Sequence, residues 1–308
     1  MAAICNCNNG LSNVGLPNCV PIASVTKKLI LVPLFANDGT RNEYNVSALT
    51  FNQAFFDARI NDTDASKRWF VLQDVENVED VRADAIFETL NNGKNIFIQQ
   101  GVRSFTGVLI NGSSEQLYKL ESGACVNFGI LVVDKNGNLI GNGLSKAGYL
   151  RPIKVDKNTW VPTLVKSTDT TVQKIQLKFE WDITEEDKNL KMISADDITI
   201  SLLDLAGLVD IYGGTPSSIS TTGFTIQLKT FYGSMKNPVV VQGLLLADFS
   251  LYNETDALAV TISSVTESPA GTYAFTFAAQ TSADVLELRI SKNGFDDAFL
   301  NDVTITIP

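Results

Sequence analysis

Val172-Gln173-Lys174-Ile175-Gln176-Leu177-Lys178-Phe179-Glu180-Trp181 is the stretch that decides the fold. Val172, Lys174, Gln176 and Lys178 alternate with Ile175, Leu177 and Phe179, a period of two that places polar side chains on one face and apolar ones on the other. A strand with one wet and one buried face belongs to an antiparallel sheet.

Working outward, the same reading recurs in both directions. Val25 to Phe35 predicts a strand that ends at the turn Asn37-Asp38-Gly39. Phe51, Ala54, Phe55 and Ala58 suit a short helix capped by Thr50 or Ser47, and Trp69-Phe70-Val71-Leu72 a short buried strand. Ala85 to Leu90 and Lys94 to Ile98 flank Asn91-Asn92-Gly93, a hairpin by alternation and turn chemistry, and Val102 to Ile110 extends the sheet. Ser113 or Ser114 caps a helix that ends at Gly123. Gly129 to Val133, the Asn136-Gly137 turn and Asn138 to Gly141 form a second hairpin, followed by Leu150 to Val155. Thr184-Glu185-Glu186-Asp187 has the form of a capping box and predicts a last short helix.

Leu202 to Val209 reads as a joint. Beyond Tyr212-Gly213-Gly214 the strands become short and evenly spaced: 217–221, 223–230, 238–241, 249–252, 259–265, 271–277, 285–290 and 303–307. About a hundred residues with that rhythm predict an immunoglobulin-like β-sandwich. It has no cysteine, so Phe224, Phe231, Phe249, Tyr273, Phe275 and Phe277 must hold it by packing. The expected fold is therefore mainly β with a few short helices. An extended N-terminal arm (1–24) leads into a β-rich assembly domain (25–209), a sandwich or split barrel, and then the immunoglobulin-like domain (210–308).

The chain has 308 residues, a net charge of −10 and no histidine. Without histidine there is no Ser-His-Asp triad, no Cys-His dyad, no HExxH zinc site and no His-ligated metal. GxGxxG, GxxxxGK[ST] and GxSxG are missing as well. Asp134-Lys135-Asn136-Gly137-Asn138 resembles a calcium loop, but its Gly comes fourth rather than sixth and Ser145 stands where a Glu is needed. Trp69, Trp160 and Trp181 read as core or interface residues, not as the lining of a carboxylate-based active site. No enzyme activity, cofactor or metal is expected. The acidic balance and scattered Lys/Arg argue against tight nucleic-acid binding. No run reaches the roughly 20 apolar residues of a membrane span, and no signal peptide is read, so synthesis in the cytoplasm is expected. Cys5, Cys7, Cys19 and Cys125 match no common zinc spacing; the three in the arm read as reduced thiols, with a metal or disulfide staple of the arm as the alternative.

Two segments are candidates for contact between subunits. One is the acidic stretch 73–85, with Asp74, Glu76, Glu79, Asp80 and Asp84 set against Arg82 alone, which reads as a solvated loop or helix face or as a surface facing charge. The other is the hairpin with Asn91, Asn92, Gly93, Phe97 and Ile98.

Cys5-Asn6-Cys7-Asn8-Asn9-Gly10, Ala65 to Phe70, Phe87 to Gly93 with Gln100 to Phe105, and Ile153 to Trp160 are together similar to structural proteins of tailed-bacteriophage virions. The resemblance implies a tail-tube subunit that self-assembles into rings or a tube, often with an outer immunoglobulin-like domain. The alternatives are an auxiliary capsid or head-decoration protein, or a cell-surface binding module. It further implies copies of itself and other virion proteins as partners, location in the virion, and passage of DNA past an acidic lumen. Residues 210–308 carry ten acids against four basic residues, six of the ten net negative charges. More than half of the charge thus lies in the sandwich, where it favours solubility over lining a channel.

Overall fold

The computed structural model describes residues 14–15, 20, 22–143, 147–297, 300 and 303–308; most of the N-terminal arm, with Cys5, Cys7 and Cys19, lies outside them. The chain is mainly β. Its first part contains β1 (Thr26–Pro33), β2 (Tyr44–Asn45), α1 (Gln53–Ile60), β3 (Phe70–Val71), β4 (Val75–Arg82), β5 (Ile86–Thr89), β6 (Asn95–Gln99) and β7 (Arg103–Ile110). Then come α2 (Ser114–Ser122), β8 (Phe128–Asp134), β9 (Leu139–Asn142), β10 (Tyr149–Leu150), β11 (Ile153–Asp156), β12 (Thr163–Val165), β13 (Lys174–Trp181) and β14 (Leu190–Ile193).

The sheet closes on itself. The run 70–82 pairs with β1 at its start (Leu31 with Phe70, Ile30 with Val71) and with β7 at its end (Val75 with Leu109, Arg82 with Arg103). From β1 the ladder continues through β8, β11 and β13 back to β7. The result is a barrel, split where β1 ends alongside β4. There the Leu72 N–H donates to the Leu29 carbonyl (2.9 Å), and Lys27 bridges Asp74 and Glu76.

Alternation fills the barrel and covers its outside. Ile175, Leu177, Phe179 and Trp181 of β13 point inward and meet Leu29, Phe105, Ile130 and Trp160. Lys174, Gln176 and Lys178 face out, as the period of two requires. β8 is buried on both faces: Ile130 and Val132 enter the barrel, while Leu131 and Val133 meet a second core made with Phe56, Ile60, Trp69 and Leu202.

The second part holds β15 (Val209–Gly213), β16 (Ser217–Ser220), β17 (Gly223–Gly233), β18 (Pro238–Val240), β19 (Phe249–Asn253), β20 (Leu258–Val260), β21 (Ile262–Glu267), β22 (Thr272–Phe277), β23 (Val285–Ile290), β24 (Phe295–Asp296) and β25 (Ile305–Thr306). One sheet runs β21-β22-β17-β15-β24 and the other β20-β19-β23-β25. In immunoglobulin lettering these are D-E-B-A and C′-C-F-G, with β24 added outside A. Their inner faces share one core that includes Phe224, Phe249, Tyr273, Phe275 and Phe277.

Several expectations need correction. Most of the acidic run, Val75–Arg82, is a strand rather than a loop or helix face, because β7 supplies its ladder. Asn52, not Thr50 or Ser47, caps α1, its side chain accepting from the Phe55 N–H (3.0 Å). No α-helix forms at 184–187. The Thr184 hydroxyl turns back to Asp182, and Glu185 is buried against Arg151 and the Lys154 N–H, leaving a single 3₁₀ turn at Asp187–Asn189. The 202–209 joint is packed: Leu202 and Leu205 belong to the second barrel core, and Lys28 Nζ donates to the Leu205 carbonyl (2.7 Å). Phe231 is not in the sandwich core; it stacks on Tyr212, and the Lys119 ammonium lies 5.5 Å from its ring. Asp134 holds its own turn, accepting from the Asn136 and Asn138 N–H groups (2.9 Å each).

Candidate functional site

The most unusual feature of the chain follows from strand lengths. β4 and β7 do not end at the barrel rim; after a short neck they continue outward as β5 and β6. Among the described residues these two strands pair only with each other. Leu90 donates its N–H to the Lys94 carbonyl (2.9 Å) and Gly93 donates to the Leu90 carbonyl (2.8 Å). Gly93 sits at φ +80°, a conformation glycine adopts without steric cost, which sets this three-residue turn. The ribbon projects about 20–25 Å beyond its neck, at ~3.3 Å per residue.

Both faces of the ribbon are wet, and both carry apolar side chains. Phe87 and Phe97 oppose each other across the strands, edge to face with centroids 5.9 Å apart. Phe87 remains 54% exposed and Ile98 48%. Glu88 opposes Ile96 on the other face, and a bulge lies between the 86/99 and 87/97 pairs. Ile98 is the residue that the bulge leaves without a cross-strand partner. Asn91, Asn92 and Gly93 form the exposed tip, with Asn92 Oδ1 accepting from the Lys94 N–H (3.0 Å).

The neck is built firmly. A Cβ on Gly101 would collide with the Ala83 carbonyl, so only glycine lets the two strands cross there. Arg82 Nη1 donates to the Gly101 carbonyl (2.8 Å), while its Nε and Nη2 hold the Asp187 carboxylate at 2.9 and 3.0 Å. Arg103 grips Asp80 through two bonds of 2.6 and 2.5 Å and reaches Asp187 at 3.3 Å. Trp181 Nε1–H donates to Asp80 (3.1 Å), and the Arg103 guanidinium lies 5.6 Å over the Trp181 ring. Forked arginine–carboxylate pairs of this kind fix orientation as well as charge. Hydrogen bonding from Arg82 holds the Asp187 carboxyl below its usual range, against the opposing effect of burial.

Of the acids predicted at the surface, most are engaged. Asp74 pairs with Lys27 (3.4 Å) and Lys28 (3.5 Å), Glu76 with Lys27, and Asp80 with Arg103. Among the described residues Glu79 and Asp84 form no ion pair. Local sequence counted Arg82 as the sole opposing charge, because the other cations arrive from β1 and β7. Counted outward from the Asn91-Asn92 turn, Arg82 would face Val102; the bulge beyond Phe97 shifts the register by one and brings Arg103 opposite it. Neither that shift nor Asp187, 84 residues from Arg103, carried a local signal.

Among the described residues no group of three or more Asp, Glu or Cys is placed to hold a metal ion, and no helix is long and apolar enough to cross a membrane. Cys125 is an exposed free thiol. No family model, curated protein or solved structure matches the chain.

Proposed function

We propose that this chain is a non-enzymatic structural subunit that self-assembles through the β5–β6 ribbon. In view of its resemblance to tailed-phage virion proteins, we read the assembly as the rings of a tail tube. One observation carries the proposal: a clamped two-stranded ribbon with apolar side chains on both faces and, among the described residues, no third strand. A lone hairpin is marginally stable in water, and open strand edges are templates for pairing with another chain. The rigid neck argues that the ribbon is aimed, and a subunit that offers one edge and accepts on another builds rings or filaments. The immunoglobulin-like sandwich then decorates the outside, and virion proteins and further copies are the partners.

Negative-stain images of the purified chain test the reading. Stacked rings or tubes are expected for the wild type, and loss of ordered rings and tubes by folded chains for Phe97→Asp and Ile98→Asp. Solitary wild-type particles at every concentration would sink it and favour a decoration or surface-binding role. A variant that still builds wild-type rings would remove the ribbon from the contact.

A further inference from the structure

We propose that an apolar groove at the end of the barrel opposite the ribbon is the receptor for the Glu88/Ile96 face of a second copy's ribbon. This rests on the self-assembly reading and adds to it the receiving surface.

The groove, about 440 Å³, is lined by Pro33, Phe35, Phe70 and Val126. Phe35, Phe70 and Val126 are 48%, 41% and 45% exposed, which for large apolar side chains gathered in one concavity marks a binding surface. It continues past Pro33, Phe70 and Val126 into a second hollow of about 410 Å³ between β3 and α2. Phe70 opens the strand run whose other end, Arg82, carries the ribbon. Twelve residues at ~3.3 Å separate groove from neck by roughly 40 Å along the barrel wall. Donor and receptor thus sit at opposite ends of one body, which suits a head-to-tail contact repeated from copy to copy.

Charge selects the occupant. The Arg41 guanidinium lies 5.2 Å over the Phe35 ring at the groove's edge and has no carboxylate partner among the described residues. On the ribbon, Glu88 is exposed, has no cation partner among them, and stands directly across from Ile96. An apolar side chain beside an unpaired acid meets an apolar groove beside an unpaired cation. Docked, Ile96 would enter among Phe35, Phe70 and Val126 while Glu88 reaches Arg41. The Phe87/Phe97 face stays free for a different neighbour.

The test uses the full chain and sedimentation velocity, with folding of each variant checked by circular dichroism. Ile96→Glu, Val126→Glu and Arg41→Glu should each weaken self-association about tenfold or more. Combining Arg41→Glu with Glu88→Arg should restore it. Ile96→Glu mixed with Val126→Glu should give a one-to-one heterodimer and nothing larger, because each brings one intact half. If Val126→Glu and Arg41→Glu associate like wild type while Ile96→Glu does not, the groove is not the receptor although the ribbon still assembles. Failure of the wild type to associate at all would overturn both readings.

Discussion

At the scale of single residues, two buried or clamped groups make distinct predictions. Trp69 Nε1–H donates to the Tyr44 hydroxyl at 2.5 Å inside the second core. Tyr44→Phe leaves that N–H without an acceptor, a loss of about 1–3 kcal/mol for a buried group, measurable by urea unfolding at pH 8. Burial pushes the Tyr44 hydroxyl up to about 12. In the unfolded chain tyrosine ionises near pH 10, so stability should fall as pH rises from there through 12, and Tyr44→Phe should flatten that slope. Asp187 titrates the other way. Its folded carboxyl lies below the ordinary 3.8, held there chiefly by Arg82. Its contribution is present above the unfolded value and is lost as pH falls through the lower folded one. The clasp should therefore be intact at pH 5 and open well below pH 4. Asp187→Asn should expose the neck to protease at neutral pH and abolish the pH dependence of cleavage there.

At the scale of elements, what the sequence disclosed follows the range of the forces involved. The alternation at 172–181 was readable because a period of two needs only one buried face, and Ile175, Leu177 and Phe179 found it inside the barrel. The Asn91-Asn92-Gly93 and Asn136-Gly137 turns were readable because positive φ is a local demand. Thr184-Glu185-Glu186-Asp187 misled because a capping box needs an apolar stripe behind it, and Glu185 is instead drawn into a buried pair with Arg151. That the ribbon stands clear of the barrel depends on no third strand joining it among the described residues, which no local pattern encodes. Its neck gives a sharp expectation. Gly101→Ala forces a Cβ into the Ala83 carbonyl, so the crossing must open. In hydrogen exchange, amides 86–99 should lose protection in this variant, while amides of β13 in the barrel wall keep theirs. In wild type the same ribbon amides should gain protection on assembly; equal exchange in monomer and assembly would remove the ribbon from the contact.

At the scale of the molecule, the way the two parts join decides where the chain can be cut. Hydrophobic packing divides at the joint: one core draws on residues 211–307, and the other two draw on residues 29–205. Across the boundary run polar ties, Lys119 with Asp210 (2.5 Å), Arg68 with Asp296, and the Gly294 N–H on Asn61 Oδ1 (3.0 Å). A break at Gly213, where the glycine pair marks a composition change, falls at the end of β15 and would leave a sandwich strand on the barrel piece. Leu202 and Leu205 must stay with the barrel because they fill its second core, and Val209 already pairs with Phe295. The cut that respects both sides follows Leu208. Ties of this kind, partly exposed, contribute little each, so residues 1–208 should fold with a modestly lower Tm. They should also still self-associate, because the ribbon, its clasp and the Phe70 groove all remain. Association of this piece that matches the full chain would place assembly in the barrel alone. A folded but strictly monomeric 1–208 chain, beside an assembling full-length one, would move the essential contact into the sandwich.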